Sequence, residues 1–409
     1  MSWYSQMSKT ERRTFTAAFG GWALDAFDFM IFTFVITTIS TLFQIDKGQA
    51  GMLATVTLLF SAVGGWLAGI LADRFGRVRV LQGTILWFSV CTMLIGFAQN
   101  FEQILILRAL QGLGFGGEWA VGSVLMGEMV RTEYRGRAVG TVQSGWAVGW
   151  GLAAVLYTVA FTLLPEDYAW RALFWIGIIP AVLVLFIRRH VPEPELFQRT
   201  QKAEVSSHHR TSAWAIFSPA LIKTTALSAL LCTGVQGGYY AVTTWLPTFL
   251  KVERNLSVIG TGGYLLVIIV GSFIGYLVGA YLTDRLGRRA NLLIFAVLSG
   301  VTVYAYTQIA LSNEQMLLLG FPLGFAASGI FSGMGAYLTE LFPSAVRATG
   351  QGFAYNFGRG IGALFPSLVG YLANTKGLGV AIGIFAGGAA VMVLLTAMLL
   401  PETKGREIS

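Results

Sequence analysis

The chain has 409 residues, of which 55% are hydrophobic and only 12% charged, with a mean hydropathy of +0.66 and a formal net charge of +8. Soluble proteins carry about a quarter charged residues, so this composition excludes an ordinary soluble enzyme or binding module and points to a polytopic membrane protein. In that setting the basic balance belongs to cytoplasmic loops and not to nucleic-acid binding.

A spanning helix needs about 20 mostly apolar residues. On that measure the sequence predicts twelve spans, at roughly 15–40, 51–72, 79–99, 103–129, 138–163, 170–188, 221–250, 259–283, 290–311, 315–340, 347–373 and 378–400. Met1–Arg13 is short and polar, and the first span reads as too long for a cleavable signal. The polar stretch around 190–219 holds all three histidines and divides the chain into halves expected at 1–189 and 220–409. Cys91 and Cys232 both lie inside apolar spans, as reduced core residues.

Charge placement gives the orientation. With the N-terminus in the cytoplasm, 21 Lys and Arg fall inside, 5 outside and 2 within the membrane, so both termini are expected to be cytoplasmic. The halves also repeat. Asp73-Arg74-Phe75-Gly76-Arg77 returns as Asp284-Arg285-Leu286-Gly287-Arg288 at an offset of 211, and the pair Glu128 and Arg135 returns as Glu340 and Arg347 at an offset of 212. Two features with one offset imply a duplicated six-helix unit.

Within the spans, charged residues are the informative ones. Asp28 lies about fourteen residues into the first span, near the midplane, where a carboxylate costs about 2.5–3.5 kcal/mol on insertion scales. Asp25 shares its face at i, i+3, and repulsion between the two disfavours ionising both, as a proton carrier requires. The bland alternative is that they snorkel or cap a helix break. Arg108 and Glu118 in the fourth span, ten residues apart, are a candidate partner and a second candidate proton site; a static ion pair and a buried, hydrogen-bonded acid are the structural alternatives. In the fifth span Gln143, Trp146 and Trp150 share one face; Gln143 and Trp146 are read as cavity lining and Trp150 as packing. In the seventh, Gln236, Tyr239 and Tyr240 stand at the repeat positions of the first-span acids. In the eleventh, Arg359 lies about 18 Å beyond Arg347, and Asn356 is one turn before it on the same face. Its planar fork suits a substrate carboxylate, whereas the structural alternative has it neutralise Asp25 or Glu118.

The stretches GILADRFGRVRV, LTDRLGRR, RALQGLGFGGEW, VPEPELF and PETKG resemble the signature motifs of the major facilitator superfamily. GWALDAFDFMIF and RATGQGFAYNFGRGIGALFP resemble its sialate/lactate proton-symporter branch, although aromatic-acid symporters usually have Gly where Ala26 stands. The resemblance implies an all-α fold of two pseudo-symmetric six-helix bundles, alternating access, and proton symport of a small organic anion across a bacterial inner membrane. It also implies an ion pair between Arg108 and the first-span acid. It implies a cytoplasmic latch formed by Asp73, Arg74, Gly76, Arg77, Glu128 and Arg135 with Asp284, Arg285, Arg288, Glu340 and Arg347. Aromatic-acid or sugar carriage, or solute sensing without transport, are the alternatives. No span holds a histidine, and no phosphate-binding loop or nucleophile–base motif occurs, so the chain is read as a non-enzymatic carrier driven by protons, without cofactor or metal; its expected partners are the organic anion, protons and the bilayer, with a monomer as the expected state.

Overall fold

The computed structural model describes residues 3–129, 135–193, 213–342 and 347–404, so most of the expected 190–219 connection lies outside the described residues. The described part is helical and contains no strand. The spans are α1 (Lys9–Leu42), α2 (Lys47–Phe75), α3 (Arg77–Ile95), α4 (Phe101–Met129), α5 (Arg135–Gln143 and Gly145–Leu163), α6 (Glu166–Ile176 and Pro180–His190), α7 (Ile222–Thr248), α8 (Val258–Leu286), α9 (Arg288–Gln308), α10 (Asn313–Gly329 and Phe331–Leu341), α11 (Arg347–Gly362 and Leu364–Lys376) and α12 (Leu378–Leu399). Helices are what these apolar runs must form, because in hydrocarbon every backbone N–H and C=O has to be paired within the segment.

Among the described residues, eight of the spans are long and apolar enough to cross a membrane on length and composition. Of the other four, α4 holds Arg108 and Glu118, α6 is broken, α11 is broken and holds Arg359, and α7 is an unbroken helix. Polar signals define the helix starts. Ser8 with Glu11, Asp46 with Gln49 and Ser312 with Gln315 form capping boxes at α1, α2 and α10.

Small residues set the spacing within each half. Gly116 on α4 faces the Ser61 carbonyl of α2, and Gly324 on α10 faces the Ile268 carbonyl of α8. A Cβ at either position would collide with that carbonyl, so the helix pairs can be this close only with glycine there. The halves meet along α2–α11, α5–α8 and α1–α7. Thr55 and Ser367 bond at 2.9 Å across the first seam. Thr37 and Thr248, separated by the repeat offset of 211, bond at 3.1 Å across the third. The two-fold relation read from the sequence is thus also a contact on the axis. Trp66, Val182, Tyr304 and Leu318 are among the large apolar side chains exposed on the outside, the surface that lipid covers.

Candidate functional site

The centre of the molecule is built on α1, which packs against α4, α5, α6 and α7. Apolar side chains on nearly every face of its middle bury it, and that burial carries Asp25 and Asp28 inside at 0% and 2% exposure. The Thr92 hydroxyl on α3 lies 3.1 Å from Asp28 Oδ2, while Asp28 Oδ1 is buried without a partner. The direct Asp28–Arg108 pair implied by the resemblance is not formed. Arg108 instead donates through Nη1 to Gln111 Oε1 at 2.8 Å, and Gln111 Nε2 donates to Thr92 Oγ1 at 2.7 Å. The guanidinium lies 4.0 Å from the centre of the Phe32 ring and bonds the Leu53 carbonyl through Nε at 3.3 Å. A ring face and a carbonyl thus replace the carboxylate next to a fully buried cation.

Asp25 neighbours Glu118 of α4, itself only 2% exposed. Two buried carboxyls side by side repel when both are ionised, and neither Asp25 oxygen has a hydrogen-bond partner. Arg359 is close enough to Asp25 to feel its charge but forms no ion pair with it.

Across the seam, Arg359 is 1% exposed. Its Nε lies 3.5 Å from Gln236 Oε1, its guanidinium carbon lies 5.1 Å from the Tyr355 ring centre and 5.5 Å from that of Phe115, and Nη1 is buried without a partner. Gln236 is held at both ends: its amide donates to the Tyr355 carbonyl at 2.9 Å and accepts from Tyr240 at 3.2 Å. Aromatic rings wall the same space. Trp146 lies 4.9 Å from Trp22, 5.9 Å from Phe29, 6.1 Å from Phe115 and 6.4 Å from Tyr239, and Tyr239 makes an edge contact with Phe331 at 5.2 Å. A cavity of about 10 Å³, room for about one water, lies between Asp25, Asp28, Phe29, Thr57, Phe88, Gln111 and Phe115.

Asp25, Asp28, Glu118, Arg359, Gln236, Tyr240, Tyr239 and Trp146 therefore line one buried region. Gln143 is also buried, at the break in α5 where Ser144 bonds back to the Thr141 carbonyl, and Trp150 packs in the core. Asn356 departs from its expected role: its Nδ2 bonds the Gly352 carbonyl on its own helix at 3.0 Å, and its Oδ1 faces Gly65 in the α2 seam. Thr92, Gln111, Phe115 and Tyr355 are the site residues that the sequence reading missed. The available signal was spacing, since Gln111 is at i+3 from Arg108 and Tyr355 at i−4 from Arg359. Among the described residues no group of His, Cys, Asp and Glu is arranged to hold a metal ion.

A second polar cluster lies at the end of the bundle where α2 meets α3 and α8 meets α9. Gly76 and Gly287 turn the chain there with φ of 107° and 112°, values open mainly to glycine. Arg288 grips Glu340 bidentately, at 3.0 Å through Nε and 2.8 Å through Nη2, and Thr403 adds its hydroxyl at 2.6 Å. Arg77 Nη1 bonds the Ala72 carbonyl at 3.0 Å, as Arg288 Nη1 bonds that of Thr283 at 2.8 Å. Arg285 points outward to the Tyr281 hydroxyl, away from Glu340. The side chains of Asp73, Arg74, Glu128, Arg135, Asp284 and Arg347 lie outside the described residues.

Carboxylates that the sequence reading had not assigned complete this cluster. Glu193 accepts from the backbone N–H groups of Val78 and Arg79 at 3.0 and 3.2 Å, and Glu402 from those of Arg288 and Arg289, both at 3.0 Å. Each caps the start of a helix, where an anion is favoured. Burial raises the Glu402 carboxyl, but the N–H groups of Lys404, Arg288, Arg289 and Thr403 outweigh it and hold the group below its ordinary value.

The family model of the Major Facilitator Superfamily matches residues 18–280 and 259–408. A "Probable 4-methylmuconolactone transporter" of Cupriavidus pinatubonensis is 44% identical over 99% of this chain and 94% of its own length. The "Cis,cis-muconate transport protein" of Acinetobacter baylyi is 33% identical over 94% of this chain and 93% of its own. Among solved structures, the proton:xylose symporter XylE bound to 6-bromo-6-deoxy-D-glucose superposes with a TM-score of 0.78, covering 99% of this chain and 98% of XylE at 18% identity, a likeness of fold.

Proposed function

The chain belongs to the Major Facilitator Superfamily, a family of membrane transporters and not of enzymes, and from that premise we propose that it takes up a small organic acid with a flat, unsaturated body in symport with protons. The observation that carries this reading is Arg359: a fully buried guanidinium with an unpartnered Nη1, set against aromatic rings. A buried cation in no ion pair, with a donor left over, is costly unless an anion pairs with it, and its planar donors match a carboxylate. Rings of Trp146, Phe115 and Tyr239 suit a planar carbon skeleton better than a polyhydroxylated one. Muconate and a muconolactone, named for the two relatives, have such skeletons.

Protons enter the cycle at Asp28 and at the Asp25–Glu118 pair. These are the buried acids beside the anion site, and protonating them changes the local charge as the substrate adds its own. The two halves then rock about the seams, exposing the site to each side in turn. The Arg288–Glu340 grip belongs to the latch that holds one side shut. The excess of Lys and Arg on one side supports a bacterial cytoplasmic membrane with both termini inside.

The test is uptake of radiolabelled cis,cis-muconate into proteoliposomes with and without an imposed pH gradient, with xylose and a sialic acid in parallel. Accumulation of the unsaturated acid above equilibrium, abolished by a protonophore, is expected. Gradient-independent equilibration, or accumulation of the sugar instead, overturns the proposal.

A further inference from the structure

The route from Asp28 to Arg108 has a hydrogen-bond logic of its own. Arg108 can only donate, so Gln111 faces it with Oε1, and that fixes the amide the other way round at its far end. Gln111 Nε2 can only donate, so Thr92 Oγ1 must accept there. Thr92 then has one hydrogen for two remaining neighbours, the Phe88 carbonyl at 2.8 Å and Asp28 Oδ2 at 3.1 Å.

Which neighbour receives that hydrogen follows from the charge of Asp28. An ionised Asp28 can only accept, so the hydroxyl turns to it, and every donor in the run Arg108, Gln111, Thr92 points toward the carboxylate. A protonated Asp28 donates to Thr92 itself, and the Thr92 hydrogen returns to Phe88. The last link reverses, and the run no longer polarises cooperatively from cation to anion.

We propose that Thr92 and Gln111 are positioning residues that form a switchable relay, through which the proton on Asp28 is sensed by Arg108 without contact between them. This rests on the reading that Asp28 carries a coupling proton. On α1 and the helices packed against it, the titratable or charged groups away from the helix ends are Asp25, Cys91 on α3, Arg108 and Glu118 on α4, Tyr157 on α5, and Cys232, Tyr239 and Tyr240 on α7, with Arg359 on α11 across the seam; α2 and α6 carry theirs at their ends. Thr92 is the side chain that hydrogen-bonds Asp28, and its two chain neighbours in the relay are each already committed by their donor chemistry. Arg108 Nη2, buried and unpartnered, leaves the cation a free donor with which to respond.

The experiment measures the pH midpoint of gradient-driven uptake and, separately, proton-independent counterflow of the same substrate. Thr92→Val keeps the shape and removes the hydroxyl. Ionised Asp28 then loses its donor, so the midpoint moves to higher pH by about one unit, a tenfold change in proton affinity, while counterflow at acidic pH persists. Thr92→Ser restores the wild-type midpoint. Gln111→Met, which breaks the far end of the relay, shifts the midpoint in the same direction and decides the matter if the valine variant does not insert. Wild-type midpoints in Thr92→Val or Gln111→Met overturn the relay. Asp28→Asn separates the two ideas: loss of gradient-driven accumulation with counterflow retained supports the coupling reading, and retained accumulation overturns that reading and the relay with it.

Discussion

Replacing Arg359 tests the anion site most directly. Arg359→Lys keeps a positive charge but loses the fork, so a carboxylate held by two parallel N–H bonds keeps one. A charge-assisted hydrogen bond contributes about 1.5–3 kcal/mol, and since about 1.4 kcal/mol is tenfold, a loss at the lower end of that range raises Kd by slightly more than about tenfold. Arg359→Ala goes further, because the carboxylate then enters a space walled by Phe115, Tyr355 and Trp146 with no cation. Leaving a charge uncompensated in a buried site costs about 3–5 kcal/mol, which is at least a hundredfold in affinity. Trp146 lies in the same aromatic wall, so quenching of tryptophan fluorescence in purified protein titrated with cis,cis-muconate reports binding. Thermal unfolding of each variant shows that the protein is intact. If Arg359→Ala binds within about twofold of wild type, the cation does not hold the substrate and belongs to a structural network with Gln236 and Tyr240.

Glu340→Gln removes the charge from the Arg288 grip, whose two side chains are 13% and 10% exposed. It is expected to lower Tm and to reduce crosslinking between the helix ends on that side; unchanged crosslinking argues against a latch. Glu402 offers a pH test. Its folded carboxyl lies below the ordinary 4.5, so its stabilisation is complete above that value and is lost as pH falls through the lower, folded one. The Tm difference between wild type and Glu402→Gln should be full at neutral pH and vanish in acid. Gly116→Leu forces a side chain into the Ser61 carbonyl and should prevent stable insertion, measured as monodisperse yield; a wild-type yield would show that the helices can separate at low cost.

The spans were legible because hydrocarbon leaves the backbone one option, and the repeat was legible because charged loops recur at a fixed offset. Helix breaks were less so. Ser144-Gly145 in α5 and Gly362 with Pro366 in α11 are the same kind of signal as Gly177 and Pro180 in α6, but glycines recur so often along these spans that they do not single out the broken ones. The membrane charges stood out by cost alone, and the structure brings Asp25, Glu118 and Arg359 into one region. Partners were harder. Arg108 was read as pairing with an acid, but Thr92 and Gln111 are uncharged, and one lies on another helix, so no charge pattern reveals them. Asn356 shows the limit of face arithmetic: it shares a face with Arg359 by spacing, yet its amide is bound to its own helix.

The twin carboxylates at Gly76 and Gly287 bear on how the chain is made. Glu193 follows α6 and reaches back to the start of α3, so the first half carries its own fastener before α7 has been synthesised. Glu402 does the same for α9 but stands 209 residues later, beyond α12. Domains emerging from a ribosome fold as units, the N-terminal one first. The first bundle can thus be locked while the second is still being threaded into the bilayer. On that order of events, the fastener of the second bundle is among the last residues of the given sequence to be made.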